Sequence, residues 1–200
     1  MEKPAGTDHP IHDLLRRRWS PRAFSNQQVM PETLASLFEA VRWAPSSDNE
    51  QPWHFLVATK DRPEEFDRLL GCLKDGNIRW VKNAPVLLIT VTRLRFEEDQ
   101  SLNRHAFHDI GLAVANLTVE AMSRGLFVHQ MAGLFPEKVK EVYGIPDGFE
   151  AVTAVALGYP GDPATMSEDL RRREMAARTR KPLTSFVFEG AWGRVSALLR

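Results

Sequence analysis

Apolar positions recur at helical spacing in some stretches of the chain and run unbroken in others. Ile11, Leu14 and Leu15 share one face of a first helix expected to start near Asp8 or His9, with Pro10 suited to its first turn. That helix runs into Arg16, Arg17 and Arg18, and Pro21 ends it, leaving Trp19 to Gln28 as a loop. A second helix opens at Pro31 and carries Leu34, Leu37, Phe38 and Val41 on one face. Ala44 to Pro52 reads as a polar loop bracketed by two prolines, and Trp53 to Thr59 as a strand. Pro63 to Leu73 predicts a helix with Phe66, Leu69, Leu70 and Leu73 facing inward, and Lys74 to Asn83 an irregular, polar, Trp-containing loop.

Pro85 to Thr92 is continuously apolar, the pattern of a strand covered on both faces, and Arg93 to Leu102 is a charged loop. The longest helix is expected from about Arg104 to Arg124, with Gly125 as its cap. Its Ile110, Gly111, Val114, Leu117, Ala121 and Met122 make it apolar enough to be the central, buried helix. A short apolar stretch, Leu126 to Val128, precedes a helix over Pro136 to Tyr143 capped by Gly144. Ala151 to Leu157 is the third clear strand, ending in Gly158-Tyr159-Pro160. The tail predicts a helix over Ser167 to Ala177, a basic loop, an apolar segment Phe186 to Phe188 and a last short helix to Arg200. In that tail helix Arg171, Arg172 and Arg173 read as a solvated face pairing with Glu168, Asp169 and Glu174. No repeat, low-complexity run or linker interrupts the pattern, so residues 1–200 are expected to form one domain. Alternation of helices and strands by itself suggests an α/β sheet, and periodicity leaves the strand directions open.

Composition narrows the function. A chain of 200 residues can build a substantial core. Its 26 basic and 26 acidic residues cancel, which argues against binding nucleic acid or an anionic membrane as the main role, since both need a basic excess. A single phosphate needs only a few donors, so a local anion site stays open. Cys72 is the only cysteine, which excludes an intrachain disulfide or a cysteine zinc cluster, and its apolar helical face suits an inert filler. Met1 to Pro10 lacks the apolar stretch of a signal peptide, and the longest apolar run, Pro85 to Val91, is too short to span a bilayer. The expectation is a soluble, cytoplasmic protein.

Three polar loops combine anion donors, prolines and small residues. In Arg18-Trp19-Ser20-Pro21-Arg22, two guanidinium forks and a hydroxyl can converge on one phosphate; the plainer reading is a cation cluster stabilising a helix C-terminus. In Ala44-Pro45-Ser46-Ser47-Asp48-Asn49-Glu50-Gln51-Pro52-Trp53, hydroxyls and amides can bond a polar ring edge; by itself the segment reads as a helix-to-strand turn. Arg178-Thr179-Arg180-Lys181-Pro182 is a second basic cluster, which alone reads as surface.

Taken together and in this order, the three loops resemble the nitroreductase family. Leu157-Gly158-Tyr159-Pro160, the segment Trp80-Val81-Lys82-Asn83-Ala84-Pro85 and the stretch Asp109 to Leu126 match it as well, so the resemblance covers nearly the whole chain. It implies an α+β fold, a three-layer sandwich with a mainly antiparallel sheet flanked by helices, built as an intertwined homodimer. It implies two FMN molecules at the subunit interface, and a C-terminal segment, here about residues 183–200, that reaches the partner subunit. On that pattern Arg18, Ser20 and Arg22 contact the phosphate and ribityl chain, and Arg178 and Arg180 close on the phosphate. Pro45, Ser46, Ser47 and Asn49 belong to the loop that meets the flavin from the partner subunit. Asn77 falls near the pyrimidine end, and Gln130, Met131, Ala132 and Gly133 lie where backbone amides approach N5 and O4, a role of the oxyanion-hole kind. Trp19 departs from the family's basic or polar residue, which shifts phosphate holding onto the four arginines and leaves Trp19 to pack beside the ring or the helix.

The resemblance also explains the lack of a catalytic dyad. NADH or NADPH, bound transiently, gives hydride to flavin N5, and a nitroaromatic, quinone or similar flat acceptor then takes the electrons in a ping-pong cycle. The sequence carries no residue that selects NADH or NADPH or that names the acceptor. His105 and His108, three apart on a helix beside Asp109, lack a third ligand at a telling distance, so no metal is expected. His129 reads as structural first and as a substrate contact second. Three rival readings remain: a same-fold flavin enzyme doing dehalogenation or enone reduction, decided by the loop Arg93 to Asn103; a non-enzymatic FMN-binding or sensing protein; and an interaction domain without flavin.

Overall fold

A computed structural model describes residues 2–199; Met1 and Arg200, the ends of the expected domain and of its last helix, lie outside the described residues. The first helix, α1 (Asp13–Arg17), starts later than the sequence pattern suggests. Ile11 and Leu15 are exposed, so no core face holds an earlier turn, and the His12 ring caps the helix by accepting the Leu14 N–H at 3.3 Å. Then follow α2 (Pro31–Arg42), β1 (Trp53–Thr59) and α3 (Pro63–Leu70). The stretch expected to be irregular contains α4 (Asp75–Val81). After it come β2 (Val86–Arg93), α5 (Ala106–Ser123), β3 (Phe127–Met131) and α6 (Pro136–Tyr143). The chain continues through β4 (Phe149–Gly158) and α7 (Glu168–Met175).

The strand order is β1-β2-β4-β3, and every neighbouring pair is antiparallel, for example Val57 opposite Leu88, Leu88 opposite Val155 and Met131 opposite Ala154. The fold is therefore α+β, where alternation alone pointed to α/β. Because β2 and β3 both run against β4, they run parallel to each other, and α5 is the crossover between them.

Alternation along β2 builds the two cores. Leu87, Ile89 and Val91 point into a cluster with Phe66 and Leu69 of α3, Trp80 and Val81 of α4 and Val139 of α6. Val86 and Leu88 point the other way, to Leu37 and Val41 of α2 and Ala113, Leu117 and Ala121 of α5. Helices thus cover both faces of the sheet, giving three layers, and each fully buried leucine contributes about 2 kcal/mol. Thr90, a polar residue in the same strand, sits at a register shift and bonds the Thr153 N–H, carbonyl and hydroxyl, so its burial is satisfied.

Some apolar surface stays uncovered within one chain. Phe107, Gly111, Ala115 and Val119 form an exposed line along α5, four residues apart. In the tail, Phe188 bridges to Val195 and packs edge-on against Trp192, while Phe186, Trp192 and Leu198 are exposed.

Candidate functional site

Arg18 follows α1 directly, and its Nη1 donates to Ser20 Oγ at 3.2 Å. Burial, then the charges of Arg178 and Arg180, pull the Arg18 guanidinium below its ordinary value. Burial and Arg180 do the same to Arg178. Lys3 is lowered by burial and by Arg178 and Arg22, against an opposing pull from Glu174. Both ends of the chain therefore meet in one basic cluster of Lys3, Arg18, Arg22, Arg178 and Arg180. Among the described residues, none of these four arginines has a carboxylate within ion-pair distance. Like charges gathered without ion-pair contacts of their own repel, and an anion bound by several guanidinium forks relieves that repulsion.

The turn that carries these arginines is anchored from below. Trp19 is buried against Met122, Phe127 and Leu14, with its ring edge-on to Phe127, and Lys3 Nζ lies 4.6 Å over the ring. Its indole Nε1 has no hydrogen-bond partner. The ring of His129 on β3 lies tilted against Trp80, centroids 4.5 Å apart, and its Nδ1 donates to the Pro21 carbonyl at 2.8 Å, the direction fixed because a carbonyl only accepts. Burial chiefly, with Arg22 and Arg18 adding, lowers the His129 pKa to about 4 although the Pro21 carbonyl opposes this; the ring is neutral at pH 7.

Trp80 joins this cluster to a second group. The Arg22 guanidinium lies 5.9 Å over the Trp80 ring. One turn earlier on α4, Asn77 Nδ2 donates to the Gly133 carbonyl at 3.1 Å, and the Lys74 N–H donates to the same oxygen at 2.9 Å. A Cβ at Gly133 would lie 2.3 Å from Asn77 Nδ2, so a side chain at this position just after β3 would displace that amide. Asn77 and Gly133 are thus placed together, with Gln130 and Ala132 exposed and Met131 in the core.

The third loop lies elsewhere. Ser46 Oγ accepts the Gln51 N–H at 3.0 Å, the Ser47 N–H donates to Asp109 Oδ2 at 3.1 Å, and Glu50 pairs with Arg93 at 2.5 Å. Asp48, Asn49 and Gln51 adopt φ of 50°, 56° and 49°, left-handed geometry that non-glycine residues hold only where their surroundings enforce it. Pro45 opens the loop on the surface. Asp109 lies in the first turn of α5, whereas Met122, against Trp19, lies in its last, about 20 Å along the axis. Within one chain, Ser46, Ser47 and Asn49 are therefore held at the far end of α5 from the arginines.

Sequence reasoning missed Lys3, for which the chain offers no signal. It also missed Asp109 and Glu174 as holders of the two loops. Asp109 carried a signal, a carboxylate on an otherwise apolar helix; it is buried, bonded to Ser47 and to His108 Nδ1 at 3.2 Å. Glu174, expected on a solvated face, is buried.

With this geometry in place, comparison gives the class. The chain belongs to the nitroreductase family, whose model matches residues 15–79 and 65–159. It is 35% identical to a crystal structure described as an oxidoreductase containing FMN, with a TM-score of 0.88 over 94% of this chain and 95% of that one. It is 39% identical over 130 residues to a 15.4 kDa protein of the ask 5′ region in Mycolicibacterium smegmatis, covering 65% of this chain and 86% of that protein. A protein of Archaeoglobus fulgidus, provisionally named an NADH dehydrogenase/NAD(P)H nitroreductase, is 27% identical over 158 residues, covering 74% of this chain and 84% of the relative. Among the described residues, no helix is long and apolar enough to cross a membrane.

Proposed function

We propose that this chain folds as one domain and works in the cytoplasm as a homodimeric, FMN-dependent oxidoreductase that takes electrons from NAD(P)H. The observation that carries this reading is the convergence of Arg18, Arg22, Arg178 and Arg180, none of them, among the described residues, in an ion pair with a carboxylate. The FMN terminal phosphate fits that cluster, because it offers several oxygens to several guanidinium groups. Asn77, Gln130 and Gly133 extend from it as the polar edge for the ring, with Met131 backing them from the core.

The separation of the two loops supports the dimer. Ser46, Ser47 and Asn49 cannot serve the arginines of their own chain across α5, but a second copy can present them. The exposed line of Phe107, Gly111, Ala115 and Val119 on α5, and Phe186, Trp192 and Leu198 in the tail, are apolar surface such a partner would cover.

When bound, FMN would supply the redox chemistry, taking up hydride from a transient NADH or NADPH and giving electrons to a nitroaromatic, quinone or similar flat acceptor. The chain's own residues bind and orient. Arg18, Ser20, Arg22, Arg178 and Arg180 hold the phosphate end; amides near Gln130 and Gly133 place fixed donors at the ring. The test is flavin retention: Arg22→Ala and Arg180→Ala should each weaken FMN binding by about 10- to 100-fold, the effect of one charge-assisted hydrogen bond. Full flavin occupancy in both variants after dialysis refutes the phosphate assignment.

A further inference from the structure

A carboxylate inside the basic cluster, that of Glu174, does not pair with its arginines. Glu174 lies in the last turn of α7 at 1% exposure, and its two oxygens are occupied by backbone donors: Oε2 by the Arg22 N–H at 2.9 Å and Oε1 by the Ala23 N–H at 3.2 Å. Those donors belong to the turn carrying Arg18 and Arg22, while Glu174 itself stands four residues before Arg178. Lys3 reinforces the joint from a third segment. Its Nζ donates to the Glu174 carbonyl at 2.6 Å and to the Ala176 carbonyl at 2.5 Å. Arg178 Nη1 in turn donates to the Lys3 carbonyl at 2.5 Å and the Arg16 carbonyl at 2.9 Å.

We propose that Glu174, braced by Lys3, is the positioning residue of the phosphate site: it clamps the Arg18–Arg22 turn to the Arg178–Arg180 tail and fixes the distance between the two arginine pairs. The chemistry suits the task. A carboxylate bonded to two consecutive amides sets the direction of that backbone without itself occupying the guanidinium donors of Arg18 and Arg22. Its charge also offsets part of the repulsion among five cations while making no ion pair that would compete with phosphate. A salt bridge to Arg22 would hold the two segments together equally well but would occupy the donors the site needs.

This inference rests on the FMN reading, so its test compares FMN with riboflavin, which lacks the phosphate. Dissociation constants for both are measured by fluorescence with wild type, Glu174→Gln and Lys3→Ala, alongside each melting temperature. Glu174→Gln keeps the size but sets an amide donor against one of the two N–H groups, and its preference for FMN over riboflavin should fall about tenfold. Lys3→Ala leaves the buried carboxylate in place and should lower the preference by a smaller factor; it serves as the reading if Glu174→Gln does not fold. A preference that stays at the wild-type value in the folded variants overturns the clamp. So does a loss equal for FMN and riboflavin, which marks general destabilisation. A wild-type chain that binds riboflavin as tightly as FMN refutes the phosphate assignment itself, and the clamp with it.

Discussion

Replacing Gly161 by alanine puts a methyl carbon 2.5 Å from both the carbonyl carbon and the carbonyl oxygen of Phe24 and 2.9 Å from the Ser25 nitrogen. Ordinary contact between carbon atoms is about 3.5–4.0 Å, so relief requires roughly 1 Å of movement. The obstructing atoms are backbone, and the segment is fastened on both sides. The Gly161 N–H donates to the Ala23 carbonyl at 2.9 Å, the Ser25 N–H to the Tyr159 carbonyl at 3.0 Å, and the Ala23 N–H to Glu174 at 3.2 Å. Gly161 has no positive φ, so the cost is steric rather than conformational. Overpacking of this kind costs about 1–3 kcal/mol, which lowers the melting temperature of a chain this long by about 3–10 °C. The displaced backbone carries Arg22, so FMN affinity should fall about tenfold as well, the equivalent of one charge-assisted hydrogen bond. Gly76→Ala is the control: it lies in α4 with nothing within 4 Å of the added carbon, and should leave both quantities level or raise stability slightly. Thermal melts with flavin titrations of the two variants decide it. A Gly161→Ala protein that melts and binds FMN as wild type does would show that the segment from Phe24 to Ser25 yields without cost.

Three further outcomes are expected. Gly111→Ala adds a methyl into open space on α5 and, in an isolated chain, stabilises the helix by about 1 kcal/mol; if the α5 line packs on a partner, the same change instead weakens the dimer, and sedimentation with melting gives the sign. His129, lowered to about 4 in the fold from an ordinary 6.5, binds a proton less readily folded than unfolded, so stability is full above about pH 6.5 and falls toward pH 4; His129→Gln should flatten a denaturation series by on the order of 3 kcal/mol across that window. Asp109→Ala removes the acceptor of the Ser47 N–H and should free the loop from Ser46 to Gln51, seen as faster amide exchange there with little change at Trp80.

What the sequence revealed depends on whether local pattern or distant contact fixes each element. The α2 face of Leu37 and Val41 and the unbroken run of β2 are legible because burial follows spacing directly. The Gly144 cap is legible because φ of 61° suits glycine. By contrast, α4 buries only Trp80 and Val81 and is held at its start by Gly133, so no local periodicity announces it. The apolar stretch at Leu126 to Val128 extends through the polar His129 and Gln130 as β3 because those residues pair with Ala156 and Val155 of β4, a long-range fact. Sheet direction was invisible for the same reason. At the site, the arginines and serines were legible as motifs, whereas the bond from Asn77 to Gly133 is a tertiary contact that no spacing announces. Glu174 was not legible, since its neighbours Arg171 to Arg173 make it look solvated, and only the tertiary path of the turn at Arg22 and Ala23 buries it. Trp19, whose role the motif left open, is an anchor against Met122 and Phe127.

Flavin-mediated electron transfer by this chain is read out in the visible absorbance of the purified protein loaded with FMN, without oxygen, before and after NADPH and then NADH. Prompt bleaching of a bound-flavin spectrum by either nucleotide is the predicted result. A bound flavin that stays oxidised with both would point to a binding or sensing role, and a chain that takes up no FMN would contradict the account outright.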